Sequence, residues 1–118
     1  MNKRKNGAQG EVAARAFLEK KGARILEMNW RRPTGEIDII ARQGRTLLFV
    51  EVKRRATLRY GRPAEAVDRA KQAHILRTAA LYVQENGLEY MPLRFDVIEI
   101  LPDELRHIEA AFDATGVF

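Results

Sequence analysis

The chain has no cysteine, which excludes disulfides, thiolate zinc sites and a cysteine nucleophile. Its two histidines, His74 and His107, have no paired spacing with each other or with acids, so they read as packing or surface residues. No apolar run approaches the roughly 20 residues that span a bilayer, and the basic start "MNKRKNGAQGE" lacks the apolar stretch of a secretory signal. No membrane partner is expected, and the cytoplasm is the expected location. Acids are scarce in one half of the molecule. Residues 1–62 hold 16 Lys and Arg against 6 Asp and Glu, whereas residues 63–118 hold 5 against 10.

A strongly basic half favours a polyanionic partner, nucleic acid before membrane, because attraction to phosphates is long-ranged and releases counterions. The alternative is a well-solvated basic surface. With 46% hydrophobic and 31% charged residues over 118 positions, the expectation is a single folded domain over residues 1–118, able to bury roughly two-thirds of its unfolded surface.

Local patterns suggest the order α-β-β-β-α-β(-β), a mixed sheet with helices packed on it. Residues 7–21 carry Val12, Ala13, Ala16 and Phe17 at helical spacing, with Gly22 as the residue that ends the helix. Strands are expected over 24–30, 36–42, 45–53 and 94–101, with a short edge strand over 106–112. Residues 54–63, "RRATLRYGRP", form a basic loop. A second helix is expected over 64–85, with Ala66, Ala70, Ala73, Leu76, Ala80 and Val83 as its stripe and Asn86-Gly87 at its end.

Four of the six acids in the basic half are Glu11, Glu36, Asp38 and Glu51. In "GEIDIIARQGRTLLFVEVK", Glu36 and Asp38 alternate on one strand, Glu51 and Lys53 on the next. Alternate residues of a strand share a face. A hairpin whose paired numbers sum to 87 sets Glu36 opposite Glu51, with Asp38 on the diagonal. A sum of 89 sets Asp38 directly opposite Glu51. Either register brings two carboxylates within reach of one ion, and a one-residue slip separates them. Ile37, Ile39, Leu48, Val50 and Val52 would form the opposite, apolar face, leaving the acids at a cleft.

Carboxylates without histidine or cysteine neighbours are hard oxygen ligands suited to Mg²⁺ or Mn²⁺. A lysine two residues beyond a ligand can orient or deprotonate the attacking water, or neutralise a phosphate. Such a set is equipment for metal-assisted phosphodiester hydrolysis. The plain structural alternative is a solvated sheet face with cross-strand Glu–Lys pairs.

"GEIDII…FVEVK" resembles the PD-(D/E)XK nuclease motif. Nearly the whole chain, from "GAQGEVAARAFLEKKG" through "AKQAHILRTAALYV" to "RFDVIEI", is similar to the YraN family of uncharacterised bacterial proteins, related in fold to archaeal Holliday junction resolvases. The resemblance implies a restriction-endonuclease-like core. It makes Asp38 and Glu51 metal-binding acids, joined by the Val52 carbonyl, and Lys53 the catalytic lysine. Glu11, on the first helix, completes the site, and products would carry 5′-phosphates. The motif's proline is replaced by Ile37, a variable position.

Arg54, Arg55, Arg59, Tyr60 and Arg62 could track a phosphate backbone, with Tyr60 stacking on a base, or form a flexible basic loop. Gln72 faces inward near the second helix's start. It either bonds near Lys53 or a phosphate, as the resemblance supports, or is a buried structural amide. Lys71 beside it, on a more exposed face, is a candidate nucleic-acid contact or simply a solvated lysine, and Glu36 could act from behind the metal ligands. Asp96 is expected to pair with Arg94 and Trp30 to join the core. The expected function is a metal-dependent nuclease acting on nucleic acid, DNA before RNA. A resolvase role would need two sites acting together, as in a homodimer. The rival is a non-catalytic nucleic-acid-binding module of the same fold, working in a larger complex.

Overall fold

Hydrophobic periodicity resolves into seven elements: α1 (Lys3–Lys20), β1 (Arg24–Arg32), β2 (Gly35–Gln43), β3 (Thr46–Arg54), α2 (Arg69–Asn86), β4 (Leu93–Ile100) and β5 (Leu105–Phe112). They are seen in a computed structural model that describes residues 3–55 and 67–113, with side chains from residue 10 onward. One sheet has the order β1-β2-β3-β4-β5. β3 and β4 run parallel across the α2 crossover, and all other neighbours are antiparallel. The fold is therefore the expected mixed α/β sheet, edge strand included.

Both faces of the sheet are covered. Ala14 and Leu18 of α1 pack with Ile39, Ala41, Leu48, Val50 and Ile98 on one face. Ile75, Leu76, Ala79, Tyr82 and Val83 of α2 pack with Ile37, Ile40, Phe49, Phe95 and Val97 on the other. β3, flanked on both sides, is a near-continuous apolar run up to Val50, as a strand buried on two faces requires.

The helix stripes differ from those expected. Val12 is 66% exposed, and Ala13 and Ala16 face solvent. The buried face is Gly10, Ala14 and Leu18, spaced by four. Small residues there let α1 lie close: a Cβ at Gly10 would already touch Val52 and Ile100 at 3.9 and 3.8 Å. In α2, Ala70 and Ala80 are exposed. The larger side chains Ile75, Leu76, Tyr82 and Val83 take the core, because they bury more apolar area per residue. α2 also begins later than expected. Asp68 caps it, accepting the Lys71 amide at 2.8 Å, while residues 56–66 lie outside the described set. Gly87 ends it with φ 64°, the left-handed conformation glycine adopts freely.

The β2–β3 ladder pairs Ile39 with Val50, Ala41 with Leu48 and Gln43 with Thr46, the register whose numbers sum to 89. Gly44, at φ 60°, takes the first turn position, the place of glycine in a type II′ hairpin.

Alternation breaks at one point. Ile37 joins the α2-side core whereas Ile39 joins the α1-side core, although regular strand residues two apart share a face. On β1, Met28 packs against the α1 side and Trp30 against the α2 side. Between them Asn29 has φ 53°. Ile37 is thus not on the apolar face expected for it, because β1 and β2 twist together where Asn29 faces Asp38.

Candidate active site

The twist sets the site. Ladder pairing between β2 and β3 stops at Ile39 and Val50. One residue further, the Asp38 carboxylate, not a backbone carbonyl, accepts the Val52 N–H at 2.8 Å. The N–H and C=O of one strand residue leave on the same side, so the Val52 carbonyl faces this gap too.

Glu51 stands opposite Asp38 in the continued register and is 6% exposed. The two side chains are close enough to hydrogen-bond to one another. Burial first, then the Glu51 charge, pushes the Asp38 carboxyl up to about 7, against the pull of the Val52 N–H. Two carboxylates in one desolvated gap cannot both ionise cheaply. A shared proton or a cation relieves them. Lys53 follows on the Glu51 side of β3 and is half-buried.

Glu11 reaches the same region from α1. Its pKa is raised by burial, with smaller contributions from the charges of Asp38 and Glu36, while a hydrogen bond from Asn29 opposes the rise. Glu11 is thus held by Asn29 at the edge of the pair. Among the described residues, no three acidic or histidine side chains form a ready-made metal cluster. Mg²⁺ does not need one, since it binds through one or two carboxylates and completes its shell with water and phosphate. Asp38, Glu51 and the Val52 carbonyl fit that donor set.

Glu36 forms an ion pair with Arg31 at 3.2 Å, and the register that would set it opposite Glu51 is not used. Lys71 turns from α2 toward the acids, its Nζ 3.6 Å from Glu51 Oε1. The β1–β2 turn is clamped to the same helix. Thr34 and Thr78 hydroxyls lie 2.8 Å apart, and His74 Nδ1 is 3.1 Å from the Thr34 carbonyl. A Cβ on Gly35, at φ 148°, would come within 3.2 Å of Thr78 Oγ1. An open pocket of about 310 Å³ lies here, lined by Glu36, Lys71 and His74 among others.

Other candidates are placed elsewhere. Arg55 is engaged within the fold: its side chain is 15% exposed and its guanidinium pairs with buried Glu99 at 3.2 Å. Gln72 is half-buried and donates to the Val67 carbonyl at 2.9 Å, so its amide serves the helix start. Arg54 is exposed at the end of β3. Arg59, Tyr60 and Arg62 lie outside the described residues. Trp30 is partly buried against the core, edge-on to Tyr82. Asp96 pairs with Arg94 through two bonds of 2.9 and 2.8 Å. His107 is not merely a packing residue, since its Nε2 lies 2.8 Å from Asp96 Oδ2.

Sequence reasoning missed Asn29 and Glu99. The first had a signal, because asparagine is depleted in strands and enriched at left-handed φ. Glu99 alternates with buried Val97 in "VIEI", a charge at an interior position.

With this geometry in hand, comparison decides the family. The model of the uncharacterised protein family UPF0102 matches residues 10–100. The chain belongs to that family. A UPF0102 protein of Clostridioides difficile is 44% identical over 114 residues, covering 95% of this chain and 100% of the relative. One from Moorella thermoacetica is 41% identical over 118 residues, covering 100% and 98%. One from Caldicellulosiruptor saccharolyticus is 47% identical over 100 residues, covering 85% of each. UPF0102 is the YraN family that the motifs resemble. The matched residues 10–100 take in Glu11, Asp38, Glu51, Lys53 and Lys71. Among the described residues no helix is long and apolar enough to cross a membrane.

Proposed function

We propose that this UPF0102 member is a metal-dependent phosphodiester hydrolase acting on nucleic acid, DNA before RNA. The observation that carries the reading is the hairpin register, which sets Asp38 against Glu51 in a gap where the Asp38 carboxyl is pushed up to about 7. A core does not gain from two carboxylates so placed, since each charge penalises the other. The resemblance to the PD-(D/E)XK motif points the same way.

In this reading Asp38, Glu51 and the Val52 carbonyl hold Mg²⁺ or Mn²⁺, with Glu11 at its edge. When bound, the ion supplies Lewis-acid polarisation of the phosphate and a more acidic water. Lys53, two residues past Glu51, orients the attacking water or offsets charge growing on the phosphate. Lys71 of α2 partly screens Glu51, and the basic half steers the polyanion in. A resolvase-like role would add a second copy of the site in a homodimer.

A second reading, a non-catalytic binding module, draws on one observation: the Glu11 carboxylate is already engaged by a hydrogen bond from Asn29. The test is a panel of labelled linear, single-stranded, flapped and four-way-junction substrates with Mg²⁺ and Mn²⁺. Cleavage by wild type and none by Asp38→Asn supports the hydrolase. Binding without cleavage on every substrate hands the site to the binding module.

A further inference from the structure

Glu99 is 0% exposed. Its Oε2 takes the Arg55 guanidinium at 3.2 Å. Its Oε1 is, among the described residues, the one buried side-chain polar atom without a hydrogen-bond partner. A desolvated carboxylate oxygen left bare is costly, so a donor within reach is required.

The parallel β3–β4 register supplies one. Phe49 lies beside Phe95, Glu51 beside Val97 and Lys53 beside Glu99. Lateral partners in a ladder share a face, as the stacked rings of Phe49 and Phe95 at 5.4 Å show for this one. The Lys53 stem therefore leaves β3 on the face to which Glu99 belongs, one strand away. Glu51, the competing partner on Lys53's own strand, is already approached by Lys71. Arg55 is committed to the other oxygen.

We propose that Glu99 is a positioning residue for Lys53: its free carboxylate oxygen takes the Lys53 ammonium and fixes it beside the Asp38–Glu51 pair. The chemical part of this rests on the hydrolase reading, and the contact itself does not. Swinging a flexible four-carbon stem needs no backbone movement, and it replaces a bare oxygen with a charge-assisted hydrogen bond. A lysine so tethered is held at one place in the site.

The test is a double-mutant cycle on unfolding midpoints with Glu99→Gln and Lys53→Met. If the side chains meet, the double variant is less destabilised than the two single losses added together. Additive losses overturn the proposal and leave Oε1 to a buried water. Should Glu99→Gln not fold, Glu99→Asp with Lys53→Arg replaces it. The longer side chain should restore stability lost by the shorter one, and no rescue overturns the contact.

Cleavage gives the second readout. Glu99→Gln should lower kcat by roughly 10-fold or more, as loss of a group that orients a functional side chain does, with KM unchanged. A wild-type kcat in that variant overturns the positioning role. If wild type cuts nothing, the hydrolase reading and the positioning role fall together, while the stability cycle still decides whether Glu99 and Lys53 meet.

Discussion

Asp96 and Asp38 are aspartates of one sheet, driven in opposite directions. Burial raises both. At Asp96 it is outweighed by His107, the two-pronged Arg94 and the Ala110 amide, which hold the carboxyl down at about 2. Lys21 Nζ lies 3.0 Å from Nδ1 of that histidine. An ammonium cannot accept, so Nδ1 is the acceptor and Nε2 carries the proton given to Asp96. Asp38 has one amide and a second carboxylate for company, and sits at about 7. A carboxylate with its acceptor sites filled is a structural pin for β5 against β4. One facing a like charge is a place that wants a cation. Burial alone does not tell them apart; partners do.

The largest expected effect is on chemistry. Asp38→Asn or Glu51→Gln should abolish Mg²⁺-dependent cleavage, a loss of roughly 100-fold or more if the ion supplies several kcal/mol. Lys53→Met should do the same. An Asp38→Asn variant that cuts at the wild-type rate would show that the site lies elsewhere.

Next comes stability, where the two aspartates should part. Asp96→Asn removes the charge and turns the oxygen shared by Arg94 and His107 into an NH2 that faces their donors, and should cost about 3–5 kcal/mol, the usual penalty for breaking a buried charge pair. Asp38→Asn without metal should leave the denaturation midpoint unchanged or higher, because it removes a repulsion. Equal losses at both positions would erase the contrast.

The pH dependence should show the same split. Asp96, with its folded pKa below the 3.8 of a free aspartate, stabilises above about 4, and this contribution of order 2 kcal/mol is lost as pH falls toward 2. Asp38 has the opposite sign. Its folded pKa of about 7 exceeds 3.8, so the folded state holds the proton more tightly. That contribution is fully present below about 4 and is lost as pH rises through 7. Unfolding measured between pH 4 and 8 should lose this downward component in Asp38→Asn. Mg²⁺, competing with the same proton, should bind more tightly at pH 8 than at pH 6.

The smallest effect separates two neighbouring arginines. If Arg54 contacts phosphate, Arg54→Ala should lower the salt slope of duplex DNA binding by about 0.9 on a log–log plot. Arg55→Ala should barely change that slope and instead lower stability, since its charge belongs to Glu99. Identical slopes for wild type and Arg54→Ala would assign Arg54 to the solvated surface.

Much of this was legible in the chain by itself. Strand periodicity is local, so "GEIDIIARQGRTLLFVEVK" already placed Asp38, Glu51 and Lys53 on a hairpin and limited the register to two choices. The folded hairpin uses the second of them, with Gly44 at the first turn position. Helix faces were less legible, because alanine is common on both sides of a helix and marks neither. Only the folded molecule could pair Lys71 with Glu51, Arg55 with Glu99 across 44 residues, or His107 with Asp96. It alone twisted β1 and β2 at Asn29 so that the Asp38 side chain turned into the gap beside Val52. The physical reason is that a period is written in consecutive residues, whereas a partner is set by which elements the packed core brings side by side.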